Sequence, residues 1–538
     1  MPRPRPRTIL EAAAVLVVLV ALVWAGLVAR AFVWQHTEAI RYTPDMDNAW
    51  HWGERAAREG FVGLYDTVAT ETPDRRFGLD YLPLRLATMT LWAKSRLAID
   101  PAVTGWRRDE AFNAPLLHFN TACELAAAIG LLVLAWDWTR RDPSGRASGA
   151  RRMLYGVWPA VVAFALAWLN PAVLISAHGR PTWDVWVLPF FIWAVVFAGR
   201  GWWLTAGCVV GVGAMFKGQQ LFGLPVLLLW PLFRGQIGAA GRLVIGFAVG
   251  VALVASPWLV GRSAGAIVSV VGIALLPVAA WAILRRWPVR GRAVPGRWVR
   301  YAVPALLATA IFVIGPQFGG SYNWLRIGLI YGADKFDDLA FDQTYSFTAV
   351  LARLYRWRLN DRVESLQWLY AGTTISHVLI AIYGVCVTLL AWAAARYDKR
   401  GDRRFLPAVA ATWLVYFAVF PRMHERYLLW GAVFACTAAA VDVGLVGLAL
   451  FFSLASACMS LAQMCFDGRG PMFLKEYSPR AGWTVIRFLG PLFPGLGYAV
   501  TLAVVVWVWV VVRGAVRRRD QLAPPAESYS IPNYPLPD

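Results

Sequence analysis

The chain has 538 residues, of which 58% are hydrophobic and 16% are charged, where a soluble domain carries about 25% charged residues. Mean hydropathy is +0.51. These values exclude a disordered chain, a secreted disulfide scaffold and a soluble nucleic-acid binder. Apolar runs long enough to cross a bilayer, about 17–25 residues, recur along most of the length and mark a multi-pass membrane protein. The net charge of +20 fits basic residues gathered in cytoplasmic loops, and calls for no nucleic-acid partner.

The first apolar run, about 8–34, follows Arg3, Arg5 and Arg7. It is too long for a signal-peptide core and lacks a small-residue cleavage site, so it reads as a retained span with a cytoplasmic N-terminus. Residues 35–115 form a first large extracytoplasmic loop with ten basic and twelve acidic residues and short interfacial helices, one of them at 81–97. Further spans are expected near 116–138, 153–169, 183–199, 202–217, 220–233, 242–261, 264–284, 301–319, 371–395, 405–421, 427–444, 446–465 and 485–512. With the first this makes about fourteen transmembrane helices in one all-α polytopic membrane domain, residues 1–519. Residues 320–370 form a second large extracytoplasmic loop. The proline-rich residues 520–538 read as a disordered cytoplasmic tail.

Charge supports this alternation. Arg140, Arg141, Arg146, Arg151 and Arg152 fall in one loop, and Arg285, Arg286, Arg290, Arg292, Arg297 and Arg300 in another. Arg396, Lys399, Arg400, Arg403 and Arg404 fall in a third, and Arg513 and Arg517–Arg519 begin the tail. All four lie on the side of the N-terminus, which the positive-inside rule makes cytoplasmic. The expected location is therefore the plasma (inner) membrane. The six cysteines lie in or beside apolar runs, with no metal-ligand or redox spacing among them.

Polar residues near membrane depth are costly, and each is a candidate site. Four clusters fall on the face opposite the Arg-rich loops. The first is Asp45-Met46-Asp47-Asn48-Ala49-Trp50-His51-Trp52, where a carboxylate could take a proton from a hydroxyl and rings could stack on a sugar. An interfacial helix with Trp at headgroup level is the plainer alternative. The second is Gly78-Leu79-Asp80-Tyr81-Leu82-Pro83-Leu84, where Asp80 could equally be a helix N-cap. The third runs from His178 through Arg180 to Asp184, with Lys217 and Gln219 beside it; an Arg–Asp pair closing a turn and a snorkelling lysine are the plain alternatives. The fourth is Arg422-Met423-His424-Glu425-Arg426-Tyr427, which could hold a phosphate or simply anchor its own turn by ion pairs.

In this order the clusters resemble the C-type (GT-C) multi-pass glycosyltransferases that use polyprenyl-phosphate sugars. The likeness is nearest to the dolichyl-phosphate-glucose-dependent α-glucosyltransferases of N-glycan precursor assembly and to bacterial relatives carrying a turn like Met423–Leu428. That family reads roughly G-D-Y-E-A-Q-R-H-W where this chain has Pro44–Trp52, G-L-D-Y-P-P-L at Gly78–Leu84, and H-G-H-F-Q-Y-N at His178–Asp184. Its K-Q corresponds to Lys217 and Gln219 across an inserted Gly218, and its H-E-K to His424–Arg426. The likeness covers about residues 40–235 and 415–435.

The resemblance implies the GT-C fold and inverting transfer of a hexose. The donor would be a polyprenyl-phosphate sugar, and the acceptor a lipid-linked or cell-envelope glycan at the outer face. It makes Asp45 the general base. It places Asp47, His51, Trp52, Asp80, Tyr81, His178, Arg180, Asp184, Lys217, Gln219, His424, Glu425 and Arg426 in contact with substrate. The leaving group is already a phosphate ester, so nearby cations replace a general acid. No cofactor is expected, although Asp45-Met46-Asp47 has the D-x-D form that other C-type enzymes use for a divalent cation. A multi-pass transporter or lipid flippase is the alternative from another class.

Overall fold

The computed structural model describes residues 6–41, 44–71, 79, 81–141, 150–261, 263–286, 298–331, 338–340, 344–367, 370, 372–467 and 493–517. The fold is helical. In chain order the helices are α1 (Pro6–His36), α2 (Pro44–Glu59), α3 (Leu64–Thr70), α4 (Pro83–Leu97), α5 (Glu110–Arg141), α6 (Ala150–Trp168) and α7 (Val187–Gly199). They continue with α8 (Trp203–Ala214), α9 (Leu224–Phe233), α10 (Ile237–Leu259), α11 (Ala264–Arg286), α12 (Val299–Ile314), α13 (Phe347–Leu354) and α14 (Ile375–Lys399). The last four are α15 (Phe405–Val419), α16 (Leu428–Ala435), α17 (Val443–Asp467) and α18 (Phe493–Val516).

Among the described residues, nine helices are long and apolar enough to cross a membrane. They are α1, α5, α6 with the turn that extends it, α10, α11, α12, α14, α17 and α18. The other five apolar segments read from the sequence also fall on helix, but α7, α8, α9, α15 and α16 have only 13, 12, 10, 15 and 8 residues. For α15 and α16 their surroundings explain this. Every residue of α16, and every residue of α15 from Phe405 to Ala418, is buried. A helix that is apolar all round is satisfied by protein on every side and need not match the bilayer thickness. The long helices α1 and α11 instead lie at the periphery and leave much of their apolar surface to lipid.

Helices α8 and α10 show how closely the short elements approach. Gly207 and Gly211 on α8 face Gly246 and Gly250 on α10, spaced four apart on each helix. A Cβ at Gly207 would overlap the Leu243 carbonyl, and one at Gly246 the Leu204 carbonyl. Without side chains the two backbones meet directly, the usual means of tight helix association in lipid.

The contacts define two ends. At one, Trp138 stacks on Phe405 at 4.1 Å, Arg200 pairs with Asp137 at 2.8 Å, and Arg234 pairs with Asp398. The ends of α5, α10, α14 and α18 bearing Arg140, Arg242, Lys399 and Arg513 gather here. The described residues of the four candidate clusters lie at the opposite end.

Candidate functional site

The site is assembled by three short irregular segments that meet above the buried helices. The first links α15 to α16. Arg422 adopts a left-handed backbone, φ 63°, which is uncommon for a residue with a Cβ. It is held there because the N–H groups of Arg422 and Met423 both donate to the Leu339 carbonyl, at 2.8 and 3.3 Å. The tightened turn delivers Glu425 and Arg426 into the protein, where Glu425 is fully buried.

The second segment follows α6. Asn170 caps a new turn by accepting from the Ala172 N–H at 3.0 Å, with Pro171 at its first position. The chain then widens, with the Arg180 N–H donating five residues back to Ile175 at 2.8 Å. Such wide turns are frequent at functional sites. Asn120 on α5 fixes the result by donating to the carbonyls of Ala177 and Thr182, at 2.8 and 3.0 Å. Trp430 on α16 donates to the Asp184 carbonyl at 2.7 Å, joining the first segment to the second. The third segment is Met215–Lys217 after α8, which places the Lys217 ammonium on Asp184.

Asp45 completes the group from the first turn of α2, where helix dipole and carboxylate attract. Arg426 Nη1 lies 2.7 Å from Asp45 and its Nε 3.1 Å from Asp184. Arg180 pairs with Glu425 at 2.8 Å and stands 4.0 Å from Asp45. Arg85 on α4 stacks over Tyr81 at 3.0 Å and Trp183 at 4.0 Å and adds its charge to the same field. Four cations, Arg85, Arg180, Lys217 and Arg426, thus face three carboxylates, Asp45, Asp184 and Glu425. Asp184 and Glu425 are fully buried, whereas a third of the Asp45 side chain remains exposed. Asp45 is therefore the carboxylate that meets the outside.

The electrostatics follow from this packing. Burial works against ionisation of Asp45, but Arg426, Arg180, His424 and Arg85 overcome it and hold the carboxyl below the usual carboxylate range. Burial likewise opposes the Arg426 charge, yet Asp45, Asp184 and Glu425 keep the guanidinium firmly protonated. Lys217 moves the other way. Burial lowers it to about 8, with Asp184 opposing and Arg426 and Arg85 assisting the fall. Several groups are close in charge but poorly aimed. Asp184 Oδ2, Glu425 Oε2, and Nε and Nη1 of Arg426 are buried without hydrogen-bond geometry to any described residue. Buried polar atoms left so are costly, and a bound group that offered oxygens to Arg426 would relieve the cost.

Of the residues expected at a site, the structure brings Asp45, Arg180, Asp184, Lys217, Glu425 and Arg426 together. Gln219 joins the edge by donating to the Tyr427 hydroxyl at 3.3 Å, and the Tyr427 ring lies 4.6 Å from the Lys217 ammonium. His424 is a quarter exposed, with Nδ1 4.0 Å from Glu425. Tyr81 and Trp52 belong to the wall beneath, ring against ring at 4.4 Å, and Trp52 is buried among aromatics rather than open to a sugar. His51 is half-buried, and Asp47 is exposed. Asp45 and Asp47 stand two apart in the first turn of α2, where side chains do not face each other. Asp80 lies outside the described residues. Among the described residues no group of three or more His, Cys, Asp or Glu is placed to hold a metal ion.

His178 belongs elsewhere. Its Nε2 lies 3.0 Å from Glu124 on α5, and Glu124 in turn accepts from Arg30 Nε on α1 at 2.7 Å. Sequence reasoning did not single out Arg30, Glu124 or Arg85. A signal was available for two of them: Arg30 and Glu124 are charges set inside long apolar runs, and such charges demand a partner. Arg85 carries no comparable signal, since arginine early in an interfacial helix is ordinary. No protein-family model matches the sequence, and neither does any curated protein.

Proposed function

We propose that the chain is a GT-C-type glycosyltransferase that moves a hexose from a polyprenyl-phosphate donor to a lipid-linked or cell-envelope glycan acceptor. Fourteen spans would be reached by counting the five short apolar helices with the nine long ones. The observation that carries the reading is the pairing of one half-open carboxylate, Asp45, with a buried group of four cations. These two parts suit an acceptor hydroxyl and a departing phosphate respectively.

In this reading the donor phosphate takes Arg426 and Lys217, with Arg180 and Arg85 behind them. It thereby competes with Asp45 and Asp184 for those cations. An Asp45 carboxylate relieved of Arg426 becomes a better base. The acceptor hydroxyl gives its proton to Asp45 as its oxygen attacks the anomeric carbon, and the carbon–oxygen bond to the phosphate breaks on the opposite face. The configuration inverts, and the leaving phosphate carries off the electron pair. Charge grows on that phosphate as the sugar departs, so the cations stabilise the transition state more than the ground state. Trp52 and Tyr81 hold Arg85 and the wall of the site in place, and Asp47 takes no part in the step.

The test is direct. Purified protein with a radiolabelled polyprenyl-phosphate hexose and envelope glycolipids should release free polyprenyl phosphate and label the glycolipid. Movement of intact donor across a vesicle bilayer, with no bond cleaved, would instead make the chain a flippase.

A further inference from the structure

The second large loop carries an exposed basic and aromatic segment. Residues Arg353-Leu354-Tyr355-Arg356-Trp357-Arg358 run from the last turn of α13 into the chain after it, and all six are exposed. In sequence the first part of the loop carries Asp334, Asp337, Asp338 and Asp342 with Arg326 and Lys335, and the second carries Arg353, Arg356, Arg358 and Arg362 with Asp361 and Glu364, so that the stretch 353–358 itself holds three arginines and no acidic residue. Arg353 is engaged over the Tyr345 ring at 4.8 Å. Tyr355 and Trp357 lie 5.6 Å apart with rings inclined by 37°. Between them Arg356 takes a left-handed backbone, φ 54°, a conformation that an arginine pays for and glycine would not.

The position of this segment relative to the bilayer is fixed by its neighbours. The Ile375 N–H donates to the Asp361 carbonyl at 3.0 Å, Ser376 to Leu359 at 3.1 Å, and Val363 to Thr373 at 3.1 Å. Ile375 is the first residue of α14, one of the long apolar helices. Leu359 is buried with Leu339, Leu351, Ile375 and Leu379 in a small apolar cluster at that helix end. Residues 353–358 are thus tied close to the first residue of a helix long and apolar enough to span a membrane, the level at which a spanning helix meets headgroups. Tyr and Trp prefer that depth. Arginine clusters beside a span attract anionic headgroups. These arginines lie at the end opposite the Arg-rich loops, so the general bias of those loops does not account for them.

We propose that Tyr355–Arg358 is a binding site for an anionic phospholipid of the surrounding leaflet. Tyr355 and Trp357 seat at the glycerol level, and Arg356 and Arg358 bind the phosphodiester and its net negative charge. The site is independent of the transferase reading and stands or falls separately.

The experiment uses the full chain, delipidated in a neutral detergent, with phosphatidylglycerol or phosphatidylcholine added and retained lipids counted by native mass spectrometry. An arginine beside an anionic surface contributes about fivefold to binding, so Arg356→Gln/Arg358→Gln should weaken phosphatidylglycerol retention about tenfold or more. Phosphatidylcholine retention should fall much less, because its choline offsets the phosphodiester charge, and the melting temperature should not move, because both side chains are exposed. Tyr355→Ala/Trp357→Ala should weaken both lipids, and by less. Equal phosphatidylglycerol retention by wild type and the arginine variant overturns the proposal. So does binding of soluble dextran sulfate through the same two arginines with no effect on phosphatidylglycerol, which would make the loop a site for acidic glycans.

Discussion

Two groups of buried charge stand near the same end of this protein, and they are built differently. In one, Glu124 lies between His178 and Arg30, and Arg30 also donates to the carbonyls of Gly26 and Trp168 at 2.8 and 3.1 Å while stacking on the Trp168 ring at 3.5 Å. All three side chains are buried. The group fastens α1, otherwise mostly open to lipid, to α5 and to the turn after α6. In the other, around Arg426, a carboxylate reaches the surface and several buried atoms have no hydrogen-bond geometry to any described residue. A closed, saturated group rigidifies a fold. An open, incompletely aimed one is where a ligand has something to gain. The contrast separates the charges of this protein into fasteners and candidates for chemistry.

The fastener should show the largest effect on stability. Glu124→Gln leaves Arg30 as a buried cation without its counter-charge, a change that typically costs about 3–5 kcal/mol. We expect a strongly lowered melting temperature and proteolysis near α1, with normal turnover in whatever fraction folds. Unchanged stability, or a turnover defect in stable protein, would move Glu124 and His178 from the fastener into the site.

Asp45→Asn tests the other group in the opposite sense. Removal of a general base typically costs 10²-fold or more in rate, while a side chain a third exposed should hardly affect folding. Asp47→Asn, on the exposed face of α2, should have little effect on either. Retained turnover in Asp45→Asn removes it as the base. A requirement for Asp47 together with a divalent cation would restore the D-x-D reading.

Arg426→Ala should lower the rate at saturating donor about tenfold to a hundredfold and weaken donor binding, since one charged hydrogen bond is lost that strengthens as the phosphate departs. It also leaves Asp184 with Lys217 alone, so some loss of stability is expected. If kinetics in the folded fraction are normal, Arg426 only closes its turn with Glu425.

How much of this was legible in the sequence follows the same division. The apolar runs and Arg-rich loops were visible because lipid imposes length and charge rules that act on local sequence. The cluster residues were visible because charges at such depth are rare. What was not legible was which charges meet. His178 and Arg180 stand two residues apart in one turn, yet one joins Glu124 on α5 and the other Glu425 on the turn after α15. Partner choice of that kind depends on the wide turn at Ile175–Gly179 and on how α5 packs beside it, neither of which leaves a periodic trace. Nor did the short length of α7, α8, α9, α15 and α16 follow from hydropathy, because burial in protein and burial in lipid select the same residues.

The smallest expected effect is the most specific to the site. Lys217 is lowered to about 8 by burial, so in the free protein its ammonium is lost as pH rises through that value. If the charge serves the donor phosphate, kcat/KM should fall above about pH 8, approaching tenfold per pH unit, because this parameter reports the free enzyme. The kcat limb should lie at higher pH, since a bound phosphate favours the protonated lysine. The stability term has its own sign. A lysine with a folded-state value below its ordinary one is charged at a cost in the native protein, so this term raises stability between about pH 8 and the ordinary lysine value, while activity falls. Lys217→Arg keeps the charge at every accessible pH, though not the compact ammonium geometry. Its maximal rate should therefore be lower, but the alkaline limb of kcat/KM should vanish. An alkaline limb that persists unchanged in Lys217→Arg would assign it to another group and leave Lys217 as a partner of Asp184 alone.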